Sequence, residues 1–153
     1  MIGRVAVAAL LMATHLPAIS QVPPPPSLPG QSDLAKKIVL AIENKDLESY
    51  SQLLSNDVQV YQDNKIVANN KIEWLNLFGQ KLSANGVHFK IAPGYMSTGR
   101  ILFIEYFNSA GSWNGNAPSH CCWSHDAVAY DVNASGEITQ IYRLRGGDKE
   151  VKL

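Results

Sequence analysis

The feature that most limits the fold lies in the C-terminal half, where four strand-like stretches follow one another with nothing helical between them. Val87 to Ala92, Arg100 to Ser109, His120 to Val132 and Glu137 to Arg145 are rich in β-branched and aromatic residues. Pro93-Gly94, Thr98-Gly99, a polar glycine-containing loop and Asn133 to Gly136 separate them, and all of these are turn chemistry. Consecutive strands joined by short turns pair antiparallel, so this half predicts a curved antiparallel sheet and not alternating βαβ units. The strand ILFIEYF, Ile101 to Phe107, is apolar at nearly every position, which predicts cover on both of its faces.

The cover comes from the preceding third of the chain. Ser32 is a candidate N-cap for a helix running to about Asn44, with Leu34, Ile38, Val39 and Ile42 on one face. Asp46 caps a second, short helix carrying Leu47, Tyr50, Leu53 and Leu54. The period then changes from helical to alternating. Val58, Val60 and Gln62 interleave with Gln59, Tyr61 and Asp63, and Asp63-Asn64 is a turn signal, so a short strand stands here. Asn70 with Glu73 three residues on forms a capping-box pattern for a third helix, ending at Asn85-Gly86. The predicted order is α-α-β-α-β-β-β-β: an α+β domain with three N-terminal helices on one face of the sheet.

The ends divide differently. Arg4 followed by the apolar run Val5 to Leu16, with Ala18 and Ser20 placed for cleavage ahead of Gln21, reads as a signal peptide over residues 1–20. A secreted or periplasmic protein with no membrane association after processing follows, since the run is short and interrupted by Thr14 and His15. Residues 21–31 contain VPPPPSLPG, whose prolines deny the backbone its donors, and form a linker. The domain spans 32–146, and 147–153 is a tail. Thirteen Lys and Arg against 13 Asp and Glu, with no basic cluster, remove the electrostatic footprint of a nucleic-acid binder.

The phrases NKDLESYSQLLSNDVQVYQDN and DAVAYDVNASGEITQIYRL, set in this order of elements, resemble the nuclear transport factor 2-like superfamily between Leu34 and Arg145. The markers are the acidic cap of the second helix, the Leu-Leu-x-x-Asp-Val step and the final hairpin with Gly-x-Ile. The resemblance implies a cystatin-like roll whose helices and sheet enclose a cone-shaped pocket. It implies no single activity, because the superfamily includes ketosteroid isomerases, polyketide cyclases, epoxide hydrolases, dehydratases and binding domains without chemistry. By the same resemblance, Asp126 takes the place of the isomerase acid that holds an enolate oxygen, the base position falls on Gln62 with Asp63 beside it, and the first-helix tyrosine position falls on Ile38.

The segment HCCWSHD concentrates reactive side chains, and strand alternation divides it. His120, Cys122, Ser124 and Asp126 share a face continued by Val128 and Tyr130; with Asp126 inside the cone, this polar stripe lines the pocket. A plausible hairpin register brings Arg143 near Asp126. A carboxylate beside a guanidinium stays charged and suits a structural ion pair or an anionic ligand, whereas a lone one in an apolar pocket suits proton transfer. Both alternatives stand at this point. The candidate catalytic carboxyls are therefore Asp126 and Asp63. The candidate ligand contacts are His120, Cys122, Ser124, Arg143, Tyr61, Trp74 and Tyr130, for a small, largely apolar molecule.

Glu105 shares a face with Ile101, Phe103 and Phe107 and reads as a buried carboxylate satisfied by a partner. Cys121 and Cys122 are adjacent, which ordinary disulfide geometry does not bridge. His120, Cys122 and Asp126 lack the spacing of a metal site, and no cofactor motif is present. A homodimer through the open sheet face remains a third use of the domain.

Overall fold

The computed structural model describes residues 27–108 and 123–146. Helices α1 (Gln31–Glu43) and α2 (Leu47–Ser51) lead into strands β1 (Leu54–Gln62) and β2 (Lys65–Ala68). Helix α3 (Lys71–Ser83) follows, then β3 (His88–Ser97), β4 (Arg100–Asn108), β5 (Trp123–Val132) and β6 (Ile138–Arg145). The strands form one six-stranded sheet in the order β2-β1-β6-β5-β4-β3.

Two of the three helix starts are as expected. Asp46 accepts from the Ser49 amide at 2.9 Å and from its hydroxyl at 2.6 Å. Asn70 accepts from the Glu73 amide at 2.9 Å, while the Glu73 carboxylate reaches back to the Asn69 amide at 2.8 Å. The first helix starts differently: Gly30, at φ 77°, is its cap, and Gln31 is already helical. The reason is tertiary. Gln31 is 2% exposed, and its amide nitrogen donates to the carbonyls of Ser97 and Arg100 at 2.6 and 2.9 Å, pinning the helix start to the β3–β4 turn. Helix α1 therefore starts one residue before the Ser32 cap expected from sequence.

The sheet is mixed, which corrects the all-antiparallel expectation. Strand β1 runs parallel to β6, with Val60 opposite Ile141 and Gln62 opposite Arg143. Pairing of the first strand with the last leaves no local mark in sequence. Strand β2 was also not foreseen: Lys65 to Ala68 carries three exposed residues and one buried one, without alternation. It forms because Asp63 and Asn64, at φ 50° and 64°, make the tight turn whose twist suits a hairpin. Strand β3 runs through Pro93-Gly94, where its register against β4 slips. A Cβ at Gly94 would lie 2.6 Å from the Leu102 carbonyl oxygen, so only glycine allows the two backbones this close.

Leu34, Ile38 and Ile42 of α1, Tyr50 of α2, and Trp74, Phe78 and Leu82 of α3 pack on the inner sheet face of Val58, Val60, Ile101, Phe103, Val128, Tyr130, Ile138 and Ile141. The strand 101–107 is buried at Ile101, Phe103 and Glu105, whereas Leu102 and Ile104 are half-buried and Tyr106 is exposed. Among the described residues, cover on the outer face of this strand is only partial, because α1, α2 and α3 lie on the inner side.

Candidate functional site

At one end of the sheet, helix α3 and the inner face diverge to leave a cleft of about 380 Å³. Trp74, Phe78, Lys81 and Phe107 form its walls, and Gln62, Ser124, Asp126 and Arg143 its floor. The walls follow from helical spacing, since Trp74, Phe78 and Lys81 recur at i, i+4 and i+7 on one face of α3. The Trp74 and Phe78 rings stack at 4.9 Å. Trp74 is fixed by an indole N–H donated to the Tyr50 hydroxyl at 3.2 Å.

The floor is built on cross-strand neighbours. Glu105 of β4 stands directly opposite Asp126 of β5, an arrangement in which two negative charges repel. Arg143 of β6 resolves it. Its Nη2 donates to Glu105 Oε2 at 2.5 Å and to Asp126 Oδ2 at 2.8 Å. Arg143 and Glu105 are 3% and 2% exposed, and Asp126 is 15% exposed at the cleft. Tyr130 donates its hydroxyl to the remaining Glu105 oxygen at 2.8 Å. The Arg143 guanidinium also lies 5.7 Å from the ring centroids of Trp74 and Phe78. Its Nη1 is buried and makes no hydrogen bond within the described structure.

Burial works most strongly against the charge of Arg143, but Glu105, Tyr130 and Asp126 together outweigh it and hold the guanidinium above the ordinary arginine value. Burial raises both Tyr50 and Tyr130, and the Glu105 charge raises each further, so both remain protonated. Lys81 moves the other way. Burial first, then the Arg143 charge, lower its pKa against the opposing pull of Asp126 and Glu105. Its Nζ lies 3.6 Å from Asp126 Oδ2, the oxygen Arg143 already occupies.

The structure brings Asp126, Ser124, Arg143 and Trp74 together at the cleft. Asp126 is paired and is not the lone acid that proton transfer from an apolar pocket requires. Asp63 is not at the cleft: it sits in the β1–β2 turn, accepts from the Arg145 amide at 3.0 Å and is about half exposed. Strand alternation turns Tyr61 to the outer face, where its ring stacks on Tyr142 at 4.8 Å. Tyr130 lies beneath the floor, fully buried. His120 and Cys122 lie outside the described residues. Gln62 faces the cleft, and Ile38 is core. Glu105 is the satisfied buried carboxylate expected. Sequence reasoning missed Lys81, Phe78 and Phe107 as cleft walls; the helical spacing from Trp74 marks the first two. Among the described residues, no group of three or more His, Cys, Asp and Glu is placed to hold a metal ion.

No family model and no curated protein matches the chain. Solved structures do. A nuclear transport factor 2-like protein of unknown function from Mesorhizobium loti superposes with a TM-score of 0.63 at 10% identity, over 78% of this chain and 93% of that one. A cystatin-fold protein from Novosphingobium aromaticivorans gives 0.61 at 12% identity over 75% and 97%. An epoxide hydrolase of the LEH-like type from Mycobacterium tuberculosis gives 0.57 at 11% identity over 78% and 84%. The chain has the nuclear transport factor 2-like fold expected from its sequence, and at these identities the likeness extends to the fold alone.

Proposed function

We propose that this domain binds a small molecule in the cleft between α3 and the inner sheet face. The ligand has a flat apolar body and an acceptor or anionic group. One observation carries this: Arg143 Nη1, buried without a partner, stands in a residue that lines a cleft walled by Trp74, Phe78 and Phe107. An unpaired buried N–H costs about 1–3 kcal/mol, which an oxygen of the ligand would recover once the guanidinium turns Nη1 toward the cleft. Pairing of Asp126 with Arg143 and Lys81 favours recognition over acid-base chemistry by a lone carboxyl. The signal-like N-terminus supports an exported protein, in which the domain meets its ligand outside the cytoplasm.

Native mass spectrometry of the protein from its own host tests this reading. A retained small molecule, lost in Arg143→Lys, supports it. An empty protein that also shows no saturable shift with aromatic carboxylates overturns it.

A second reading concerns association. Leu102 and Ile104 are half-buried on the outer sheet face, with Leu144 54% and Tyr106 38% exposed beside them, an apolar surface suited to a second copy of the chain. Sedimentation at several concentrations tests it, and a concentration-independent monomer excludes it.

A further inference from the structure

The cleft holds a side chain that ligand recognition by Arg143 does not use. Lys81 projects from the last turn of α3, with Nζ 5.0 Å from the Phe107 centroid and 5.8 Å from that of Phe89. The charged groups around it are Arg143 on β6, Asp126 on β5 and Glu105 on β4. Asp126 Oδ2 is shared: Arg143 holds it at 2.8 Å, and Lys81 stands off at 3.6 Å, beyond a close hydrogen bond. The two ring faces favour the ammonium of Lys81, but its carboxylate partner is shared with a second cation, the Arg143 guanidinium bonded to the same oxygen. An amine desolvated beside another cation is the arrangement that turns lysine into a nucleophile.

We propose that Lys81 captures aldehydes or ketones admitted to this cleft as a covalent imine. The inference rests on the cleft admitting a small molecule. In the step, Asp126 takes one proton from the Lys81 ammonium, and the freed amine lone pair forms a bond to the carbonyl carbon while the carbonyl π bond breaks onto oxygen. Asp126, within reach of Nζ, gives its proton to that oxygen and takes one from the new ammonium, leaving a neutral carbinolamine. Asp126 returns the proton it still holds to the hydroxyl, which leaves as water while the nitrogen lone pair forms the C=N bond, giving a protonated imine. Carbonyl plus lysine ammonium become iminium plus water, balanced in atoms and charge with no other reactant. The iminium retains one positive charge beside Asp126, so the local electrostatics of the resting pair are preserved. A carbonyl compound with a carboxylate on an aromatic body fits best, since Arg143 takes the anion and Trp74 and Phe78 take the ring.

The test uses 4-carboxybenzaldehyde with cyanoborohydride near neutral pH on the full chain, read by intact mass and peptide mapping. The expected result is a single reduced adduct at Lys81 that outpaces exposed lysines such as Lys36, Lys65 and Lys90. Lys81→Arg, with its fold checked by circular dichroism, loses this adduct, and Asp126→Asn slows it. Adducts scattered over surface amines with Lys81 no faster overturn the inference. A parallel titration with 4-methylbenzoate, which has no carbonyl to condense, separates the two readings. Saturable binding of that analogue without Lys81 labelling sinks the imine and leaves recognition standing. Lys81 labelling without analogue binding keeps the imine and removes Arg143 as the anion contact. Failure of both removes both.

Discussion

Arg143 and Glu105 meet at 2.5 Å across two strands with 3% and 2% of their side chains exposed, a buried ion pair beneath the cleft. Taking either charge out of water costs several kcal/mol, so each is tolerable only while the other is present. Asp126 and Tyr130 complete the set, one toward the cleft and one toward the core. This asymmetry makes the pair strongly sensitive to loss of one member and weakly sensitive to loss of both.

Arg143→Met and Glu105→Gln are each expected to lower unfolding stability by about 3–5 kcal/mol. The double variant should lose less than the sum of the two. Urea denaturation of all four proteins measures this as a double-mutant cycle. Strict additivity would mean the two residues do not depend on each other.

Trp74 both walls the cleft and packs on Phe78. Trp74→Ala should cost about 3–5 kcal/mol. Trp74→Phe keeps the wall but gives up the Tyr50 hydrogen bond, for a loss of about 1 kcal/mol. Denaturant midpoints rank the two, and equal losses would remove the packing argument.

Lys81 carries a pH dependence of definite sign. Its folded pKa is lower than its unfolded one, so below the folded value the charged amine costs stability. As pH rises between the two values, the folded chain sheds the proton first and stability increases. Lys81→Met should therefore be more stable than the parent at neutral pH, with the gap closing toward the ordinary lysine range. Midpoints measured across alkaline pH check this, and a gap that widens would reverse the assignment.

Gln31 joins three backbone groups: it accepts from the Leu28 amide at 2.8 Å and donates to Ser97 and Arg100. Gln31→Leu keeps the volume and removes the bonds. The expected loss is about 1–3 kcal/mol, with faster amide exchange at the start of α1. Unchanged exchange there would show that the helix start does not depend on this anchor.

Much of the fold was legible because its causes are local. The Asp46 and Asn70 caps, the Asp63-Asn64 turn and the alternation of Val58 and Val60 each act within a few residues. The family phrases drew on the same local chemistry. The site was legible in part. Asp126 and Arg143 lie on adjacent strands of one hairpin, so a register argument reached them. Tyr61 was misplaced because its aromatic character drew more weight than its strand face, which strand alternation sets opposite to Gln62. Asp63 is both a turn residue and a candidate carboxyl in the sequence, and the structure places it in the β1–β2 turn, away from the cleft. Lys81 went unread because a lysine near the end of an amphipathic helix is ordinarily solvated, and nothing in the helix itself announces the carboxylates facing it.

The residue pattern alone determined an α+β chain with three amphipathic helices, a run of antiparallel C-terminal strands and a polar stripe on the strand that carries Asp126. Periodicity and turn chemistry act over short stretches, and they survive in any correct folding of this sequence. Tertiary structure alone decided the parallel pairing of β1 with β6, the opposition of Glu105 to Asp126, and the single guanidinium nitrogen that holds both. These depend on which strands become neighbours, and charge interactions are set by distance and burial in space, not by separation along the chain.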